Sequence, residues 1–341
     1  MNSDRYVVNL TNDIRFADPN TILVRTLTSR FQLTGENMSA AVQEILNCFQ
    51  EPTTIDDAVS RLAQKYTASS LQRLLHFLTE RNILINERTA GDLRKHGKDF
   101  MDKALYYTLG GKSLQEITEE LAPLRVGIIG PKQMVSCLLN DLVNGELLFN
   151  FNVGITDGET DVNGYVSGNI NIASYPDVSG DLEPFTDSSD FIIACANYSD
   201  HYLFNQVNGL CIKKKKRWLR VTIDGDSAEI GPLFIPGKTC CYSCLRIRER
   251  FNLSKENYLF DRLYEDGKVH EDARKKPVGL YSLYYINSLA SAIACAEMMK
   301  LLTGLKCNLE NQIISVNATD YEMLTHTIFR YRLCPDCAKE L

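Results

Sequence analysis

Two Cys-x-x-Cys pairs constrain this chain more than any other feature: Cys241 with Cys244, and Cys334 with Cys337. One such turn presents two thiolates to an ion, and a tetrahedral zinc needs four ligands. Turns about 90 residues apart in sequence meet only if the intervening fold brings them together. Lys238, Arg246, Arg248 and Arg332 lie close by in sequence and favour thiolate over thiol. The pattern points to a structural four-Cys zinc site, closed to water, that staples rather than catalyses. A redox pair, or cysteines without metal, remain open at this stage. So does the register, because Cys240 and Cys244 also stand within knuckle spacing.

The chain has 341 residues and 11 cysteines. An odd cysteine count and an N-terminus without a basic cap and apolar core argue against a disulfide framework in an exported protein. Cys48, Cys137, Cys195, Cys211, Cys295 and Cys307 are therefore expected to pack as small apolar residues. The most apolar long segment, "SLASAIACAEMMKLLTG" at 288–304, is broken by Ser, Glu and Lys. It is expected to be a packed helix rather than a membrane span. The expectation is a cytoplasmic protein.

Residues 1–88 form a small unit of their own. "RYVVNL" (5–10), "DIRFAD" (13–18) and "ILVRTLTSRFQLTG" (22–35) are expected as three strands. Three helices follow, over 38–50, 54–66 from a Thr cap, and 69–82 from a Ser cap. Three strands with three helices make a winged helix-turn-helix layout. Residues 89–122 are a polar, partly helical connector. From 123 to 341 strands alternate with helices, which predicts a doubly wound α/β sheet. That pattern runs through "LRVGIIG", "FNVGITDG", "FIIACA" and "RWLRVTID", and two antiparallel strands, "NQIISVNA" and "MLTHTIFRY", come near its end.

"GPLFIPGKTCCYSC", the helix "SLYYINSLASAIACAEMMKLLTG" and the terminal "CPDC" together resemble the ThiF-like fold of adenylating enzymes related to ubiquitin activators. The resemblance is closest to the branch that serves ribosomal peptide natural products. That branch includes microcin C type adenylating enzymes and the ThiF-like partner proteins of YcaO cyclodehydratases. There, a peptide-recognition element precedes the fold, as the unit 1–88 would here. Homodimerisation is implied by the resemblance alone.

Active members of the fold bind ATP at a Gly-x-Gly-x-x-Gly turn after the first strand, where the backbone must approach phosphate with no Cβ in the way. Here the turn is "GIIGPKQM", with only Gly127 and Gly130, and with Pro131 and Lys132 in the phosphate-facing place. Residues 133–212 hold no Lys or Arg and carry eleven Asp and Glu. A cleft built from that stretch repels a triphosphate. Asp157 is placed to hold a ribose, so Gly127, Gly130 and Asp157 mark a degenerate nucleotide site with no catalytic residue.

The resemblance then implies a non-catalytic component of a cyclodehydratase complex. Such a protein binds the leader of a precursor peptide and presents its core to a separate YcaO-type enzyme, which makes thiazoline or oxazoline rings. The alternatives are an ATP-dependent adenylating enzyme acting on a peptide, as in microcin C synthesis, and, more weakly, a sulfur-carrier activator. Family members hold the leader as a strand added beside the third strand, against the last helix of the recognition element. This maps onto Arg25, Leu27, Arg30, Phe31 and Leu33, with Leu27, Phe31 and Leu33 on one face if the strand is regular. The helix supplies Arg73, Leu74, Phe77 and Arg81. Plain core packing for the apolar members and solvated surface for the arginines are the competing readings. Nucleic acid is excluded as a partner: residues 1–88 carry nine Arg and Lys against ten Asp and Glu, without the basic footprint that phosphate binding needs. The run "KKKKR" (213–217) is expected as a solvated helix end.

Overall fold

The computed structural model describes residues 4–26, 29–96, 114–144, 150–156, 169–174, 182–197, 201–254 and 283–338. The chain divides into two compact units, Met1–Thr118 and Glu119–Leu341. No helix among the described residues is long and apolar enough to cross a membrane.

The first unit opens with β1 (Arg5–Val8), β2 (Asp13–Asp18), β3 (Thr21–Arg25) and β4 (Arg30–Thr34). α1 (Met38–Cys48), β5 (Thr53–Thr54), α2 (Ile55–Leu62), α3 (Ala68–Glu80), β6 (Leu84–Asn86) and α4 (Glu87–His96) follow. The strands form two three-stranded sheets, β5-β1-β6 and β2-β3-β4. Ile22, Val24, Ile45, Phe49, Leu71, Leu75 and Leu78 are buried in one core. The alternation of β3 and the 3.6-residue period of α1 and α3 put these side chains on facing surfaces.

The unit has six strands in two sheets rather than the three expected, and two further details of the layout change. The stretch 22–35 is not one strand but a hairpin, β3 and β4, paired antiparallel from Thr21↔Thr34 to Arg25↔Arg30. Side-chain oxygens make this turn: Thr26 N–H donates to the Ser29 carbonyl at 2.9 Å, and Ser29 N–H to Thr26 Oγ1 at 3.0 Å. The cap of α3 falls two residues earlier than expected, at Thr67 rather than Ser69. α2 does begin at Thr54, whose side chain accepts from Asp57 N–H at 3.1 Å. That is an N-cap bond of the kind worth about 1 kcal/mol.

α5 (Leu114–Leu121) crosses the division between the units. The second unit then runs β7 (Arg125–Gly130), α6 (Lys132–Asn144), β8 (Asn150–Ile155), β9 (Asn169–Ser174), α7 (Glu183–Asp187) and β10 (Phe191–Asn197). It continues with α8 (His201–Lys214), β11 (Arg217–Asp224), β12 (Ser227–Phe234), α9 (Tyr242–Asn252), α10 (Tyr284–Leu302), β13 (Gln312–Asn317) and β14 (Met323–Thr327). The described strands make one eight-stranded sheet, ordered β14-β13-β12-β11-β10-β7-β8-β9. From β9 to β11 neighbours are parallel; from β11 to β14 they are antiparallel. The strand order reverses between β7 and β10, which is where doubly wound sheets open a crevice.

Strand alternation sorts the core into two layers. Ile129, Ile192, Ala194, Trp218 and Phe234 pack with Leu203 and Phe204 of α8 and with the knuckle cysteines. α6 and α10 pack against each other, and α10 also touches β11 and β12. A buried arginine, Arg220 on β11, bonds Glu229 Oε2 at 2.9 Å and the Gly231 carbonyl at 3.2 Å. Gly231 sits at φ +101°, and a Cβ there would meet the Gln312 carbonyl oxygen at 2.5 Å. That explains the glycine opening "GPLFIPG". The basic run at 213–217 is more engaged than a solvated end, because Lys214 bonds both Glu183 and Asp187 of α7.

Candidate peptide groove and cysteine cluster

Each unit presents one arrangement with chemical consequences. In the first, β3 pairs with β2 and β4, and β4 has no further neighbour among the described strands. The hairpin bonds fix which backbone groups stay open. Thr26 N–H bonds Ser29 and Gly35 N–H bonds Asn20, so odd-numbered β4 residues direct their N–H and C=O groups toward β3. Antiparallel alternation then turns those of Arg30, Gln32 and Thr34 to the open edge.

Phe31 and Leu33 project toward α3 and are half-buried, together with Leu74 and Phe77. The Phe31 and Phe77 rings meet edge to face, with centroids 5.8 Å apart. The Arg81 guanidinium lies 5.5 Å from both ring centroids, a cation–π arrangement over an apolar floor. Arg25 and Arg30 stand directly opposite each other across β3 and β4, both exposed. Like charges so placed repel, and Asp13 of β2, opposite Arg25 on its other side, offsets part of that repulsion. Arg73 is exposed and donates from Nε to the Ser69 carbonyl. The hairpin takes Leu27 off β4, and Leu27 lies outside the described residues.

In the second unit, Cys241, Cys244, Cys334 and Cys337 are buried, with all four sulfurs within 4.8 Å of one another. Cys241 Sγ lies 3.8 Å from Cys244 and 3.4 Å from Cys334, and Cys244 lies 3.5 Å from Cys337. Zn–S bonds of about 2.3 Å at tetrahedral angles place sulfurs about 3.8 Å apart, so the donor set fits zinc. Cys240 is not part of the cluster. Its N–H bonds Asn311 Oδ1, and burial pushes its thiol up to about 12. The register is thus the Cys241–Cys244 one.

Cys241 caps the N-terminus of α9, which places Cys244 within its first turn. The bond from Cys241 draws the Cys244 thiol well below its usual value, and Tyr331 N–H, 3.3 Å from the sulfur, adds to this. Polar bonds join the two knuckles around the sulfurs. Asp336 accepts from Ser243 Oγ and from Asn208 Nδ2, and Arg330 donates to the Cys337 carbonyl at 2.6 Å. Sequence reasoning missed Asp336 and Arg330, although both sit inside or beside the "CPDC" motif. Of the bases it named, Lys238 pairs with Glu310, Arg246 with Glu249, and Arg248 donates to the Phe329 carbonyl.

At the β7–β10 crevice both glycines have a packing reason. A Cβ on Gly130 would meet the Cys195 carbonyl oxygen at 2.5 Å, and one on Gly127 would meet Ser189 Oγ at 2.5 Å and Phe185 Cζ at 2.9 Å. Asp157 lies outside the described residues. Beside the crevice an open groove of about 570 Å³ runs between α6 and α10, lined by Lys132, Asn140, Asp141 and Tyr284 among others. Asp141 there accepts from Ser291 Oγ.

No protein-family model matches the chain. It is 23% identical over 163 residues to the heterocyst protein HesA of Trichormus variabilis, and 24% identical over 151 residues to HesA of Leptolyngbya boryana. It spans about half the length of these curated relatives. Among solved structures it is similar to E. coli MccB, with a TM-score of 0.74 and 18% identity over 98% of this chain and 97% of that one. MccB, the microcin C7 biosynthetic enzyme, has been solved with N-formylated MccA and with ATP. The heterocyclase TruD is also similar, with a TM-score of 0.62 and 15% identity over 98% of this chain but 43% of that one. The chain therefore shares its fold with MccB and with part of TruD.

Proposed function

We propose that this protein binds the leader of a ribosomally made precursor peptide as a strand added to β4, and presents the core to a separate YcaO-type cyclodehydratase. The observation that carries the reading is the open β4 edge beside the Phe31–Leu33–Leu74–Phe77 groove. Main-chain groups of Arg30, Gln32 and Thr34 would hold the peptide, and side chains opposite Phe31 and Leu33 would enter the groove. The likeness to MccB, solved with the peptide MccA, supports a peptide as the partner. The first unit would then serve as a winged helix-turn-helix recognition element.

The acidic, lysine-poor stretch 133–212 supports a scaffold that has lost adenylation. In TruD the matched fold accounts for 43% of a heterocyclase chain, so a longer stretch accompanies it there. That is the arrangement expected if this fold delivers the peptide and something else closes the ring. The four cysteines would hold one structural zinc, consistent with a reducing cytoplasm. The second reading, an ATP-dependent peptide adenylating enzyme, is favoured by the likeness to MccB over nearly its whole length.

Calorimetry on the full chain separates the two readings. The expected result is binding of a cognate leader and no heat with ATP and magnesium. ATP binding with leader-dependent pyrophosphate release would overturn the scaffold reading in favour of the adenylating one. Failure to bind any cognate leader would overturn both.

A further inference from the structure

The groove beside β4 has a charge pattern as well as an apolar floor. β2, β3 and β4 turn Asp13, Arg15, Arg25 and Arg30 to the sheet face away from the core. Asp13 is already bonded to Arg15 at 2.8 Å, and it also stands opposite Arg25. Arg30 ends the row Asp13–Arg25–Arg30 at the open edge, exposed, and it pairs with no carboxylate among the described residues. On the groove side, the Arg81 guanidinium over Phe31 and Phe77 makes the same end positive. The other end has the opposite sign. Asp18 stands across from Thr21, Thr21 pairs with Thr34, and Glu36 follows β4. A strand lying on β4 therefore meets cations at one end and anions at the other.

Register turns this pattern into a sequence rule. Arg30 and Gln32 open their N–H and C=O groups to the edge, so peptide residues opposite them form hydrogen-bonded pairs, about 5.5 Å apart at Cα. The residue opposite Arg30 shares its face of the sheet and lies within reach of its guanidinium. The residues opposite Phe31 and Leu33 face the groove. Antiparallel pairing is the more stable per residue, and it reverses the order along the peptide. Read from its N-terminus, the peptide meets Leu33, Gln32, Phe31 and then Arg30.

We infer that the protein selects its peptides by the order apolar, any residue, apolar, acidic, and that Arg30 reads the acid. The inference rests on the strand addition proposed above and adds a rule of choice to it. Phe31 and Leu33, with Leu74 and Phe77 of α3, supply affinity for the two apolar side chains. Arg30 and Arg25 supply the discrimination. A carboxylate in the fourth place continues the row with the opposite charge, whereas a lysine there adds another cation beside two arginines.

The probe is a phage-displayed library of random dodecapeptides, panned on the full chain. Enriched peptides are expected to carry this order on the wild type and to lose it on Phe77→Asp. Synthetic copies of one enriched peptide then vary the fourth place. A neutral amide in place of the acid is expected to weaken binding by about two- to fivefold at low salt, the range of an exposed ion pair. The difference should vanish near about 1 M salt, where charges are screened within about 3 Å. Arg30→Glu sets opposite charges across β3 and β4, which does not threaten the hairpin, and it is expected to enrich a basic residue in place of the acid. Apolar residues at this spacing without the acid, or with the acid ahead of them, would overturn the inference and leave strand addition standing. So would an acid preference that survives Arg30→Glu. Equal enrichment of the same peptides on wild type and Phe77→Asp would overturn strand addition itself, and the inference with it.

Discussion

At Gly130 a single hydrogen separates a tight fit from a clash. The Cβ of an alanine would stand 2.5 Å from the Cys195 carbonyl oxygen and 2.7 Å from its Cβ. Backbone on a central strand does not yield as the end of a flexible side chain does. Overpacking of this kind costs about 1–3 kcal/mol. Gly130→Ala is therefore expected to lower the unfolding free energy by that amount, read as a lower urea midpoint, with no change in leader binding. An equal loss in leader binding would show that Gly130 serves the peptide site instead. The glycines were legible in the sequence as residues of special use, and the nucleotide turn was the reason they suggested. Their contacts give a reason that needs no nucleotide: β7 must lie close to β10 and to the turn after α7. Arg220 was not legible, because an arginine in "RWLRVTID" announces neither its 1% exposure nor the partners Glu229 and Glu249.

The cysteine knuckles were the most legible elements, since their spacing is a property of the ligand as much as of the chain. The sequence left Cys240 and Cys241 as rivals, and only side-chain direction separates them. Substitution reads out this difference. Cys241→Ser and Cys337→Ser are expected to leave well under one zinc per chain by metal analysis, while Cys240→Ser keeps it. Losing the ion should lower Tm, because the free energy of binding a structural metal is free energy of folding. A full complement of zinc in Cys337→Ser would sink the four-Cys assignment. The β3–β4 hairpin was hidden for a different reason. Its turn, "TLTS", lacks Gly, Pro, Asn and Asp, the residues that usually mark a turn. Thr26 and Ser29 make it instead through hydroxyl bonds that no pattern of hydropathy displays. β9 was missed although its Asn and Ile alternate, because it lies in a stretch rich in Gly, Asn and Ser.

For the whole molecule, the two units divide the work. Under the proposed function the first unit makes the peptide contacts, and the second contributes the large sheet and the four-cysteine cluster. No chemical step is assigned to any side chain of this protein, so its effect on ring formation should act through substrate capture alone. Each azoline closure removes one water from the precursor, and mass spectrometry counts the waters lost. With precursor, ATP and a YcaO-type cyclodehydratase, adding this protein is expected to raise the yield of dehydrated product at limiting precursor. Phe77→Asp places a charge against Phe31, 5.8 Å away in the native ring pair. It should reduce that yield by tenfold or more, since burying an unpaired carboxylate against the incoming strand costs upwards of about 1.4 kcal/mol. A core peptide without its leader, supplied in excess, should be processed at the same slow rate with either protein. If Phe77→Asp, still folded, slowed the leaderless substrate as strongly as the full precursor, the protein would be acting on the reaction itself and not on capture. The crevice between β7 and β10 would then have to be reconsidered as an active site.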